Sequence, residues 1–157
     1  MKPSICFIKE DYYLDHPDLQ KILDPEDIEK ASRRSYLYLR IDDGGLDFYI
    51  PLRTNLGKDV RPFGRIGHTL ATQNRPNAGL DYRHTLLICS DDYIEKPTSP
   101  KISRAQLNQL TLELPKIKNE FLTYLRRYKK VAKKNRINKE PLFCDCSLIN
   151  FHSELNI

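Results

Sequence analysis

No run of apolar residues in this sequence approaches the roughly 20 needed to cross a membrane as a helix. The first ten residues, Met1-Lys2-Pro3-Ser4-Ile5-Cys6-Phe7-Ile8-Lys9-Glu10, are interrupted by charge too early for a secretory leader. No membrane partner is therefore expected, and the cytoplasm is the expected address. There is no low-complexity tract and no internal repeat, which sets aside disordered linkers and solenoids. Cysteine is sparse: Cys6, Cys89, Cys144 and Cys146. In a cytosolic chain these are expected to be reduced. Cys144-Asp145-Cys146 leaves one residue between thiols, where structural zinc sites typically leave about two to four and need two further ligands. His152 alone does not complete such a set, so the cysteines are expected as small buried hydrophobes and no metal or cofactor is expected. A glycine-rich phosphate loop, a zinc-hydrolase motif and a nucleophile-elbow serine are all missing.

What remains is globular. The 157 residues are 39% hydrophobic and 30% charged, which suits one domain over residues 1–157 with a single core. The formal charge of +5 is unevenly spread. Residues 1–30 carry four lysines against eight acids, whereas residues 126–139 (RRYKKVAKKNRINK) carry eight bases and no acid. Such a block is either a phosphate-meeting surface or a solvated helix face.

Along the chain, the segment through Leu14 reads as a short strand and turn. His16-Pro17-Asp18 reads as a helix start with Leu19, Ile22 and Leu23 on one face, and Asp24-Pro25-Glu26-Asp27 as the start of a second. Ser35–Ile41 and Leu46–Leu52 form the best hairpin, joined by Asp42-Asp43-Gly44-Gly45. Pro51 should end its strand or place it at an edge. Residues 53–79 are irregular, with four arginines and Lys58, and a loop that long is usually functional or mobile. Leu86–Cys89 reads as a short strand.

From Ser103 the period becomes helical, with Leu107, Leu110, Leu114, Ile117, Phe121, Leu125, Tyr128 and Val131 on one stripe. Pro115 should kink this run or divide it. Arg126, Arg127, Lys130, Lys133 and Lys134 fall opposite the stripe. Leu142–Cys144 and Ser147–Ile149 read as a closing strand or turn. Strands without βαβ alternation and a late helix predict an α+β fold, a small twisted antiparallel sheet or partial barrel packed by helices.

Three groupings bear on chemistry. Arg53-Thr54-Asn55 follows directly on a strand, gathering a guanidinium and two hydrogen-bonding side chains that suit a phosphate, or form an ordinary turn. If Asp43-Gly44 is a two-residue turn, counting outward sets Arg34 opposite Arg53, a like-charge pair fit to hold an anion; a different register would separate them. The histidines form no triad. His16, His68 and His152 read as structural or solvated, and His84, at the start of a strand, is the best proton carrier of the four.

The segment SYLYLRIDDGGLDFYIPLRTN, then Gly79-Leu80-Asp81-Tyr82 before an apolar strand and Tyr93-Ile94, then Cys146-Ser147-Leu148-Ile149, resembles the toxins of type III toxin–antitoxin systems, the ToxN/AbiQ and TenpIN group. The matches span residues 34–149 in order. The resemblance implies a PemK/MazF-like twisted sheet and a metal-independent endoribonuclease, associated with phage defence and inhibited by a repeated antitoxin RNA, in a higher-order toxin–RNA assembly. Thr54 takes the place of the loop's Ser/Thr, Arg53 and Asn55 flank it, and Arg34 is the basic residue before the first strand. Leu56 stands where the family loop has lysine, with Lys58 the nearest base, and His84 stands where a lysine follows the Gly-Leu-Asp-Tyr run.

In such an enzyme the RNA 2′-OH attacks the adjacent phosphorus, leaving a 2′,3′-cyclic phosphate and a 5′-OH. One preorganised donor to the developing charge contributes roughly 3–4 kcal/mol. Arg34 and Arg53 are the candidates for that role, with Thr54 and Asn55 orienting the substrate. Lys58, His84, Arg126, Arg127, Lys130, Lys133, Lys134 and Arg136 are expected to bind RNA, and Tyr124 to stack on a base. A non-catalytic RNA-binding protein and a PemK-like RNase held by a protein antitoxin are the competing readings.

Overall fold

The alternating, β-branched and aromatic segments pair into a central hairpin. In the computed structural model, which describes residues 2–41, 44–57, 66–99 and 101–157, β2 (Tyr36–Ile41) and β3 (Leu46–Arg53) run antiparallel from Tyr36 opposite Pro51 to Ile41 opposite Leu46. Asp42 and Asp43 of the expected turn lie outside the described residues. Gly44 and Gly45 have φ of +104° and +67°, the backbone region that favours glycine.

Pro51 does not end its strand, contrary to expectation. Leu52 N–H donates to Ser35 O (2.9 Å), so residues 52 and 35 form a hydrogen-bonded pair and the position-51 nitrogen points away from β2. On that other side β6 (Leu86–Leu87) pairs with Phe48 and Tyr49, and β5 (Gly79–Asp81) pairs with Leu52 and Arg53. The missing N–H thus faces the gap between two short neighbours, where no ladder bond is lost.

β4 (Gly67–Thr69) pairs with β5, while β1 (Ser4–Ile8) joins β2 to β7 (Ile94–Glu95). The path β4-β5-β3-β2-β1-β7 is antiparallel and open, as the α+β reading requires. Gly79 is dictated by this layout, since a Cβ there would run into the His68 carbonyl oxygen.

α3 (Arg104–Lys133) is one helix of 30 residues. Ser103 Oγ caps it by accepting from Gln106 N–H (3.1 Å). Asn135 (φ +55°) ends it, with Arg136 N–H reaching Val131 O and Asn135 N–H reaching Ala132 O. Pro115 does not divide the helix. Its cost of about 3 kcal/mol falls on the exposed face, while Leu110, Leu114, Ile117 and Phe121 continue in phase beneath it. Phe121 stacks edge-on to Phe48 (5.0 Å), seating the helix on the sheet. No described helix is long and apolar enough to cross a membrane.

The N-terminal elements differ from the reading. α1 is Glu10–Asp15, inside the expected strand and turn, and α2 is Ile28–Ser32, capped by Asp27 rather than Asp24. Tyr12 and Tyr13 supply the buried face that drew α1 into a helix. The expected closing strand is a 3₁₀ turn, Ser147–Phe151, which Ser147 Oγ ties to the Arg83 and Thr85 carbonyls. Cys6 and Cys146 are buried as expected, and burial pushes their thiols up to about 12 and about 11. Cys89 and Cys144 are exposed, because neither lies under the helix or the sheet.

Candidate active site

Where β3 runs out, its register carries one step further. Arg34 lies across from Arg53, and both line a pocket of about 330 Å3 with Ser35, Thr54, Lys30 and Arg33. Arg75, Lys101 and Gln106 form the opposite wall. Six cations face the cavity, and among the described residues no Asp, Glu or His lines it.

The two central arginines are not left to repel each other, because each has its own carboxylate. Arg34 donates Nε–H and Nη2–H to Asp24 Oδ2 (3.2 and 2.9 Å) and Nη1–H to Leu52 O (3.1 Å). Asp24 can reach it because its backbone turns left-handed (φ +53°), a conformation aspartate tolerates. Arg53 Nη1–H donates to Asp81 Oδ2 (3.0 Å). Asp81 is fully buried and also accepts from Arg83 Nε, Nη2 and backbone N–H at 2.9–3.0 Å. Burial alone would push its carboxyl up, but the bonds from Arg83, the nearby His84 and the bond from Arg53 hold it below the usual value. The guanidiniums are thereby fixed in place before any ligand arrives. Arg75 and Lys101 have no ion-pair partner among the described residues, so their charge is uncommitted.

Not every expected residue converges here. Thr54 is exposed and lines the pocket. Asn55 does not line it; its Oδ1 accepts Gly57 N–H (2.9 Å), so it shapes the loop instead. Leu56, where the resemblance expects lysine, is buried and its N–H bonds Asn77 O (2.7 Å), pinning the loop to the strand before β5. Lys58 lies outside the described residues.

His84 belongs to a 3₁₀ turn, Tyr82–His84, rather than a strand. It is buried, with Nδ1 held by Lys21 O (2.8 Å), so it anchors the segment that carries Asp24 rather than facing RNA. Tyr124 is buried too, donating to Cys146 Sγ (3.2 Å), and cannot stack on a base as expected. His68, read as part of a loop, sits buried in β4 between Glu120 (3.0 Å) and Glu113 (3.1 Å), bracing the sheet against α3. Arg126, Arg127, Lys130, Lys133, Lys134 and Arg136 are exposed at the far end of α3, about 36 Å along the helix from Gln106.

Sequence reasoning missed Lys30, Arg33, Arg75 and Lys101, and also Asp81, which fixes Arg53. For Asp81 the signal was a carboxylate inside an otherwise apolar strand, since a buried charge needs partners. Among the described residues, no group of three His, Cys, Asp or Glu side chains is arranged to hold a metal ion.

No protein-family profile matches the sequence, and no curated protein matches it either. Among solved structures, one chain aligns over 99% of both chains with a TM-score of 0.59 and 18% identity. It comes from work on bacterial type III toxin–antitoxin systems, in which a non-coding RNA pseudoknot selectively inhibits the toxin. The two chains share a fold. At that identity the correspondence extends through the whole architecture, from β1 to the closing 3₁₀ turn, while side chains have largely diverged.

Proposed function

We propose that this chain is the endoribonuclease toxin of a type III toxin–antitoxin system, a single domain over residues 1–157 restrained by an antitoxin RNA. The observation that carries the reading is the pocket at the end of β3, where Arg34 and Arg53 are held rigid by Asp24 and Asp81 beside the exposed hydroxyl of Thr54. The fold shared with a type III toxin–antitoxin structure supports the same conclusion.

The chemistry follows from the charges. Six cations around one cavity favour a phosphodiester, and favour it more as its oxygens gain charge during 2′-OH attack. Arg53 and Arg34, already oriented, lose little ordering entropy at that moment. Arg75 and Lys101 supply uncommitted charge from the facing wall, and Thr54 orients the sugar-phosphate. RNA brings its own nucleophile, so the reaction proceeds without a metal and yields 2′,3′-cyclic phosphate and 5′-OH ends. The basic end of α3 meets backbone phosphates well away from the cut, which suits a long antitoxin RNA better than a short substrate.

One feature favours a second reading. With no imidazole or carboxylate lining the pocket among the described residues, proton transfer falls to lysine or to water, and a phosphate-binding protein that does not cut would look the same. Incubation of the purified protein with RNA in EDTA separates the two. Cleavage to cyclic-phosphate ends supports the toxin, and intact, bound RNA supports the binder. Relief of growth arrest by co-expressed tandem-repeat RNA tests the antitoxin.

A further inference from the structure

The cationic pocket does not close at Arg75. A second hollow of about 520 Å3 opens from it and shares Arg75, Lys101, Ile102 and Gln106 with it. One rim is the turn Thr72–Arg75. It is locked by reciprocal backbone bonds, Thr72 N–H to Arg75 O (3.0 Å) and Arg75 N–H to Thr72 O (3.2 Å), and by Thr72 Oγ1 accepting the same Arg75 N–H (3.1 Å). The other wall is the first turn of α3. Gln106 Nε2–H donates to Leu70 O (2.9 Å), tying the base of the turn to the helix. Both walls are therefore fixed relative to the phosphate pocket.

At the tip of that turn stand Gln73 and Asn74. Both are exposed, both line the hollow, and neither side-chain amide has a hydrogen-bond partner among the described residues. A primary amide places a donor and an acceptor in one plane, which is the complement of a base edge, most directly of adenine. Ile102 and Ala105 give the hollow an apolar floor for a base face. Arg75 and Lys101, on the shared wall, are placed to take the connecting backbone. Unpaired RNA bases are recognised in this manner, by a surface for the ring and hydrogen bonds for the edge.

We propose that this hollow receives the nucleobase adjoining the phosphate held at Arg53 and Thr54, and that Gln73 and Asn74 set the base preference there. The inference rests on the endoribonuclease reading and adds to it a specificity determinant. Neither residue touches the scissile phosphate, so the two claims separate.

The test uses the full chain and a Gln73→Ala/Asn74→Ala variant. Each is incubated with a single-stranded RNA pool of random sequence, and the new 5′-OH ends are sequenced. The wild type should show a base preference next to the cut, and the variant should still cut with that preference flattened by about tenfold, the loss expected for one bidentate base contact. Cleavage by the variant with unchanged preference overturns this inference and leaves the endoribonuclease reading standing. If the wild type does not cut, 2′-O-methyl homopolymers of A, C, G and U decide by binding anisotropy. Discrimination among them that disappears in the variant supports the base site, and equal discrimination by both proteins overturns it.

Discussion

Asp81→Asn removes one charge from the interior with almost no change in shape, and its consequences can be worked out from the contacts. The carboxylate is fully buried and accepts four hydrogen bonds, three from Arg83 and one from Arg53. An amide can keep the backbone bond through its oxygen, but its NH₂ faces guanidinium donors. Removing one partner of a buried ion pair costs about 3–5 kcal/mol. Here Arg83 and Arg53 retain 20% and 30% exposure and recover some hydration, which points to the lower end. At about 2–4 °C per kcal/mol for a domain of this size, the melting temperature should fall by about 6–12 °C.

Arg53→Ala, which removes a single bond to Asp81, should lower it much less. The pH dependence supplies a second check. Because the folded Asp81 carboxyl sits below its ordinary value of 3.8, its stabilisation is complete above that value and is lost as pH falls through the lowered one. The gap between wild type and Asp81→Asn, followed by circular dichroism, should therefore stay level from neutral pH down to about 5 and shrink in stronger acid. A melting shift under about 2 °C, or a gap that widens in acid, would refute the reasoning.

Thr54→Ala should leave melting unchanged and reduce RNA cleavage at least about tenfold, read on a labelled oligonucleotide. Normal cutting would remove Thr54 from the site. Arg75→Ala with Lys101→Ala should weaken binding of a short 2′-O-methyl oligonucleotide and lower its salt slope by about two. An unchanged slope would mean the facing wall does not meet phosphate. Charge reversal at Lys130, Lys133 and Lys134 should weaken binding of a long repeat RNA while leaving cleavage of a short substrate intact, since that patch lies so far along α3 from the pocket. Pro115→Ala should raise the melting temperature by restoring a donor to the helix ladder, by up to about 3 kcal/mol.

The sequence by itself determined the elements whose signals are local. Strand alternation with Gly44-Gly45 set the hairpin and its register, and with it the meeting of Arg34 and Arg53. Helical periodicity with Ser103 and Asn135 set α3. Those features depend on residues a few positions apart, where hydrogen-bond geometry leaves little choice.

Tertiary structure decided what depends on distant partners. Pro115 passes through a helix because the sheet beneath holds both halves in line, and Tyr12 and Tyr13 turn a strand-like segment into a helix because the core needs them on one face. Tyr124 and His84 look available in sequence and are buried, because burial is a property of neighbours far along the chain. Asp24 and Asp81 become the fixed counter-charges of the pocket, while Arg75 and Lys101 complete it from the other wall. A pair of like charges was legible in the strand register. The carboxylates that let the two arginines coexist were not, since only the folded chain brings residues 24 and 34, or 53 and 81, within a hydrogen bond.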